Sequence, residues 1–61
     1  QGDAQAQANL GYMYNSGKGV QKDDKEAVKW YRLSAEQGYA SGQFHLGVMH
    51  KKIEANKKAK Q

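Results

Sequence analysis

The sequence predicts an all-α protein of about three helices, built on a helix-turn-helix unit that recurs after 36 residues. Residues 1–14 and 37–50 share seven identities in fourteen positions, whereas unrelated segments would share about one. Small and apolar residues recur at the i, i+3 and i+4 spacing of a helix face, and glycine-containing turns separate these segments. The identical pairs are Gln1/Gln37, Gly2/Gly38, Ala4/Ala40, Gln7/Gln43, Leu10/Leu46, Gly11/Gly47 and Met13/Met49.

The first helix is predicted over about residues 3–15. Its small residues, among them Ala8 and Gly11, fall on one helical face and favour packing against a neighbouring helix. Residues 15–19 (NSGKG) are typical turn residues and should end the helix. Gly17 is expected to adopt the left-handed cap conformation, because it has no Cβ to penalise a positive φ.

The second helix is predicted over about residues 23–37. The Asp23 carboxylate can accept the free N–H groups of the first turn, and Glu26 stands at the spacing of a capping box. Gly38 is expected to end the helix. The inward face, predicted from its helical spacing, comprises Ala27, Trp30, Tyr31, Ser34 and Ala35.

The third helix is predicted to begin near residue 40 and to continue past residue 50. The segment 51–61 (KKIEANKKAKQ) is rich in the helix formers Lys, Glu and Ala. Met49 and Ile53 stand at i, i+4 and would continue an apolar stripe.

Gly11 and Gly47 occupy the same position of the repeat, inside predicted helices. A glycine in a helix interior costs about 1 kcal/mol relative to alanine. We therefore expect a neighbouring helix to contact the backbone closely at both positions.

The small-residue first helix, the G-x-G-V loop at residues 17–20 and the Trp30-Tyr31 pair together resemble the Sel-one-like repeat, a relative of the tetratricopeptide repeat. The resemblance covers a complete repeat over residues 1–36 and the first helix of a second over 37–50. It implies a right-handed α-α superhelix whose inner surface is lined by the first helix of each pair, and it implies a scaffold or adaptor role. The matching residues are Ala4, Gln7, Leu10, Gly11, Met13, Tyr14, Gly17, Gly19, Val20, Asp23, Ala27, Trp30, Tyr31, Ala35, Gln37 and Gly38.

The chain departs from the repeat pattern after residue 49. Position 50 is His where the pattern has Tyr, and the lysine-rich segment 51–61 replaces the expected loop. We interpret 51–61 as a helical extension or tail that ends the array. Because the first residue is Gln1 rather than Met, we expect an excised or processed fragment. Together with the departure after residue 49, this predicts the terminal fragment of a longer array.

The candidate partner-binding face lies on the first helix of each unit, on the side turned away from the second helix. We predict that this face recognises another protein or peptide through amide, phenol and imidazole groups; an ordinary solvated helix surface is the alternative. The face consists of Gln5, Asn9 and Tyr12, repeated as Ser41, His45 and Val48.

The sequence offers no catalytic site, and we predict a non-enzymatic module without cofactor or metal. There is no cysteine, and His45 and His50 are five residues apart rather than the four that place two ligands on one helical face. The Gly17-Lys18-Gly19 segment lacks the glycine spacing and following hydroxyl residue of a phosphate-binding loop.

All of the net charge of +4 comes from the C-terminal segment. Residues 1–50 hold five basic and five acidic side chains, whereas residues 51–61 hold five lysines and one glutamate. An alternative function is therefore binding of nucleic acid or an anionic membrane surface by this tail. The tail has no aromatic residue for stacking on bases and only one apolar anchor, so we favour a solvated helix there and no specific nucleic-acid partner.

Exposed apolar residues predict that the isolated chain self-associates or depends on upstream repeats for its stability. A fragment with fewer than about three repeats leaves helix faces uncovered. No segment is long and apolar enough for a membrane span or a signal peptide, which favours a soluble protein of unassigned compartment. The residues expected at the apolar edge are Phe44, Leu46 and Val48.

Overall fold

The computed structural model describes residues 3–59, with side chains described as far as residue 57. It contains three helices, α1 (Ala4–Ser16), α2 (Asp24–Glu36) and α3 (Ala40–Ala59). The predicted all-α fold of three helices is confirmed, and α3 continues past residue 50 as expected. The predicted repeat identities at Gln1 and Gly2 and the tail residues Lys60 and Gln61 lie outside the described residues.

Helix α1 is bounded by the residues that its sequence favours at each end. The Asp3 carboxylate accepts a hydrogen bond from the Gln5 N–H at 3.1 Å, which satisfies one donor of the first turn. At the other end Gly17 has φ 74°, and its N–H donates to the Met13 carbonyl at 2.7 Å. The left-handed glycine cap predicted for this helix is therefore confirmed.

Helix α2 begins with the Asp23 cap. The Asp23 carboxylate accepts hydrogen bonds from the N–H groups of Lys25 and Glu26, at 3.1 and 3.2 Å. The second half of the predicted capping box is absent from this arrangement, because the Asp23 N–H donates to the Tyr14 carbonyl at 2.9 Å. This bond ties the start of α2 to the end of α1.

Helix α2 lies between the other two helices and supplies most of the core. Its Ala27, Tyr31 and Ser34 are at most 1% exposed, and Tyr31 forms the core cluster together with Ala27 and with Met49 of α3. Trp30, which the sequence placed on the same inward face, is only half-buried and stands outside this cluster. The aromatic volume at the centre therefore comes from Tyr31.

Glycines allow close approach of the helices, although the pattern differs from the prediction. A Cβ at Gly11 would lie 2.7 Å from the Tyr31 ring, so the expected close contact there is confirmed. The same expectation for Gly47 is wrong, since no atom of the described residues lies within 4 Å of its Cβ position. Gly42, which the sequence did not single out, is the close contact in α3: a Cβ there would lie 2.5 Å from the Ser34 hydroxyl oxygen.

Polar side chains add links between helices across the repeat. The buried Ser34 hydroxyl donates to the Ala4 carbonyl at 2.8 Å, which joins α2 to the start of α1. The Gln37 side-chain amide donates to the side-chain oxygen of Gln7 at 2.7 Å, and Gln7 is itself buried. Gln7 therefore serves the packing of the repeat rather than its surface.

Candidate functional site

The half of the predicted partner-binding face that lies on α1 is open to solvent. Gln5, Asn9 and Tyr12 are all exposed, and Tyr12 keeps 49% of its surface accessible. They stand at i, i+4 and i+7, so their side chains form a line along one side of the helix. We call this line, together with its counterpart on α3, the inner strip: Gln5, Asn9, Tyr12, Ser41, His45 and Val48.

The half of the inner strip on α3 is more mixed. Ser41 is exposed and Val48 keeps 46% of its surface accessible. His45 differs from the prediction that it faces away from α2, because its ring stacks on Tyr31 with a centroid distance of 5.1 Å and an interplanar angle of 14°. Stacking of the imidazole on the Tyr31 ring removes apolar surface of both rings from water.

Hydrogen bonding fixes the orientation of the His45 ring. Its Nδ1 lies 2.8 Å from the Ser41 carbonyl oxygen and 3.3 Å from the Ser41 hydroxyl oxygen. A carbonyl can only accept, so Nδ1 carries the proton in this contact. In the neutral ring Nε2 is then left as a hydrogen-bond acceptor.

Tyr31 links the two halves of the inner strip. Its ring packs against Gly11 of α1 on one side and against His45 of α3 on the other. Burial raises the pKa of its hydroxyl above the ordinary value of 10.0, and the nearby Tyr12 phenol raises it further. The helical spacing predicts Tyr31 as a core residue, and the structure agrees. That Tyr31 also lies between Tyr12 and His45 does not follow from the spacing.

The Tyr31 hydroxyl is a buried polar group that forms no hydrogen bond with the residues that the structure describes. Most buried polar atoms in proteins have such a partner, and an unpaired one costs about 1–3 kcal/mol. The Tyr31 side chain is fully buried, and its unpaired hydroxyl is close enough to Tyr12 for the two phenols to interact. The inner strip therefore has a polar group beneath its surface at this point.

The raised pKa of Tyr31 predicts a loss of stability at alkaline pH. The folded state holds this proton more tightly than the unfolded state, so its contribution is complete below about pH 10 and is lost as the pH rises through the folded-state pKa. We expect Tyr31→Phe to flatten the fall in urea-unfolding free energy above about pH 10. An equally steep fall in both proteins would contradict the assignment to Tyr31.

Phe44 extends the aromatic surface next to the inner strip. It is 68% exposed, and its ring meets the His45 ring edge-on with the centroids 5.3 Å apart. Phe44 and Val48 are thus exposed apolar residues as predicted, whereas the third, Leu46, is half-buried and packs on the Tyr31 and Met49 core. Leu46 stands one helical turn before the buried Met49, which turns it inward.

The face of α3 that corresponds to the packed face of α1 is uncovered. Ala8 and Gly11 are buried on α1, but their counterparts Phe44 and Gly47 on α3 are exposed. A groove of about 430 Å³ runs along this part of α3. This absence of a covering helix explains why Gly47 has no close neighbour. The groove is lined by Gly47, His50, Lys51, Ile53, Glu54 and Lys57.

Among the described side chains of the C-terminal extension, Lys52 makes an ionic contact with the rest of the fold. The Lys52 ammonium lies 3.8 Å from an Asp24 carboxylate oxygen, at the start of α2. This distance is too long for a hydrogen bond, and both side chains are partly exposed, so the pair contributes little to stability. Ile53 continues the stripe of Met49 as expected but keeps 37% of its surface exposed.

Over residues 3–57 no group of three or more His, Cys, Asp or Glu side chains is placed to hold a metal ion. Within the described part of the chain, no helix is both long and apolar enough to cross a membrane.

Comparison with known proteins agrees with the architecture. The chain is 42% identical over 48 residues to a putative Sel1-like repeat-containing protein of Acanthamoeba polyphaga mimivirus, covering 79% of this chain and 9% of the relative. It is 46% identical over 48 residues to an F-box protein of Arabidopsis thaliana, covering 77% of this chain and 13% of that relative.

The chain therefore spans about a tenth of the length of these relatives. No solved structure gives a significant match. The family model of the Sel1 repeat matches residues 4–39, which include all of α1, the connecting loop and α2. The Sel1 repeat is the family called the Sel-one-like repeat above. The chain belongs to the Sel1 repeat family.

Proposed function

We propose that this chain is a non-enzymatic interaction module, part of a Sel1 repeat array, that binds a partner protein along the inner strip. Sel1 repeats generally serve as protein-interaction modules, which supports the general role. The location of the binding site is supported by the cluster of Tyr12, Tyr31 and His45, where exposed and buried aromatic groups from three helices meet.

The chemistry of the inner strip favours an extended, uncharged peptide segment. Gln5 and Asn9 each offer a donor and an acceptor, which can pair with peptide N–H and C=O groups. The exposed Tyr12 and Val48 offer area for an apolar side chain of the partner. The strip contains no Asp, Glu, Lys or Arg, so charge does not direct its selectivity.

A displayed library of random peptides, selected on the whole 61-residue chain, tests this proposal. We expect the selected peptides to lose affinity by about tenfold or more on Tyr12→Ala, because exposed tyrosines are frequent hot spots of interfaces. The binding constants would be measured by fluorescence anisotropy with each purified variant.

Matched controls are available in the loop between α1 and α2. Lys18 and Gln21 are exposed, and their substitution by alanine should leave the affinity unchanged. Retention of full affinity by both Tyr12→Ala and Asn9→Ala would refute the proposed location. A loss confined to substitutions on the outer side of α2 would assign binding to a different surface.

A further inference from the structure

The outer side of α2 carries a stripe of positive charge. Lys25, Lys29 and Arg32 stand at i, i+4 and i+7, and all three are exposed. They lie opposite the face that α2 buries against α1 and α3, since a rotation of 100° per residue places them about half a turn from Ala27 and Tyr31. The charges therefore project away from the core.

These cations are not neutralised by the fold. In the part of the chain that the structure describes, no carboxylate lies within 4.0 Å of Lys25, Lys29 or Arg32. Lys29 lies instead 5.4 Å from the centre of the Trp30 ring. Like charges at i, i+4 destabilise a helix, so the Lys25 and Lys29 pair works against the stability of α2.

Residues 1–50 have no net charge, so the summed charge gives no indication of this stripe. Acidic residues of the described chain cluster at helix starts, as Asp3 and Asp23 do, where they cap free N–H groups. The basic residues of α2 are left together on its outer side. The summed charge of residues 1–50 is zero, but the outer side of α2 carries three cations with one carboxylate, Glu36, at its end.

Apolar side chains accompany the stripe. The half-buried Val28 and Leu33 flank it and line, with the cations, a shallow groove of about 300 Å³ that ends at Glu36. A surface with three cations beside an aliphatic floor complements a segment that combines carboxylates with an aliphatic side chain.

We propose that this outer groove of α2 is a second docking surface, which binds an acidic amphipathic peptide segment of a partner protein. The partner's carboxylates pair with Lys25, Lys29 and Arg32, and its aliphatic side chain covers Val28 and Leu33. This surface is separate from the inner strip, so it lets one repeat hold two partner segments on opposite sides.

The observations favour a peptide over other anionic partners. Val28 and Leu33 are half-buried and do not project far enough to insert into a bilayer. The groove has no exposed aromatic residue on which a base could stack, because Trp30 is half-buried and outside its lining. A second copy is disfavoured, since each such face carries three cations and one carboxylate, so two of them would bring like charges together.

A synthetic helical peptide of about four turns, with Glu at i, i+4 and i+7 and Leu between them, serves as the probe. We expect it to bind the whole chain and to lose affinity roughly tenfold in the triple variant Lys25→Ser/Lys29→Ser/Arg32→Ser, three exposed pairs being removed. Replacing Glu by Gln in the peptide should weaken binding similarly, and replacing Leu by Ala should weaken it further.

The matched control removes the same charge elsewhere. The triple variant Lys18→Ser/Lys22→Ser/Lys57→Ser has equal net charge and changes only exposed positions. If both triple variants lost affinity for the peptide equally, the loss would be due to overall charge, and the proposal would be overturned. Circular dichroism of each variant verifies that α2 remains folded.

The competing partners are tested with the same variants. Phosphatidylserine vesicles and a single-stranded oligonucleotide replace the peptide, and sedimentation velocity reports self-association. Tighter binding of either anion than of the peptide, with the same dependence on the α2 cations, would overturn the assignment to a peptide. Dimerisation through the stripe would do so as well. Since Tyr12→Ala leaves this groove intact, failure of the inner strip is distinguishable from failure here.

Discussion

Tyr31→Ala is expected to remove most of the stability of the fold. The ring is 1% exposed and packs against α1 through Gly11 and against α3 through His45, so its loss opens a cavity between all three helices. Truncation of a buried aromatic residue costs about 3–5 kcal/mol. A chain of this size has a total stability of about 3–9 kcal/mol. We expect the variant to be largely unfolded by circular dichroism under conditions in which the wild-type chain gives a helical spectrum.

Tyr31→Phe separates the ring from its hydroxyl. The hydroxyl forms no hydrogen bond with the described residues, so its removal relieves the cost of a buried unpaired group. We expect Tyr31→Phe to be at least as stable as wild type in urea unfolding. A loss of about 1 kcal/mol or more in this variant would show that the hydroxyl is satisfied in solution, and the inner strip would then have to be reconsidered.

Gly42→Ala and Gly47→Ala are expected to change stability in opposite directions. At Gly42 a Cβ would lie 2.7 Å from the Ser34 Cβ and 3.0 Å from the Ala35 backbone nitrogen, and backbone cannot move aside as a flexible side chain can. Overpacking of this kind costs about 1–3 kcal/mol, against a gain in helix propensity of about 1 kcal/mol. We expect a net loss of up to about 2 kcal/mol and a lower thermal midpoint.

At Gly47 the same substitution meets nothing within 4 Å and keeps only the helix-propensity gain. Gly47→Ala should therefore raise the free energy of unfolding by up to about 1 kcal/mol. The two variants lie in one helix and differ by five positions, so each is the control for the other in parallel thermal unfolding. Destabilisation by Gly47→Ala would mean that another surface covers this face of α3, as self-association through Phe44 would produce.

Local signals in the sequence were sufficient for the helix boundaries. Asp23 and Gly17 act on backbone groups only a few residues away, so their roles depend little on the rest of the fold. The 36-residue repeat then gave the architecture, because two similar phrases form two similar helices.

Contacts between helices were predicted less well, because they depend on which neighbour is present. Gly11 and Gly47 hold the same repeat position, yet only Gly11 has α2 against it. His45 was expected to face outward from its spacing alone, but the adjacent Tyr31 ring offers it a stacking surface. The basic stripe on α2 does not follow from the summed charge of the chain, because it depends on the positions of the cations around the helix axis.

The central place of α2 has a consequence for how the chain acquires its structure. Helices α1 and α3 pack extensively on α2 and only slightly on each other, so nearly all contacts join neighbours in sequence. Such local contacts favour rapid folding, since little chain entropy is lost before the first contacts form. Because each outer helix packs mainly on α2, we expect its order to depend on α2, so that either helix pair can form first and the remaining helix then adds to it.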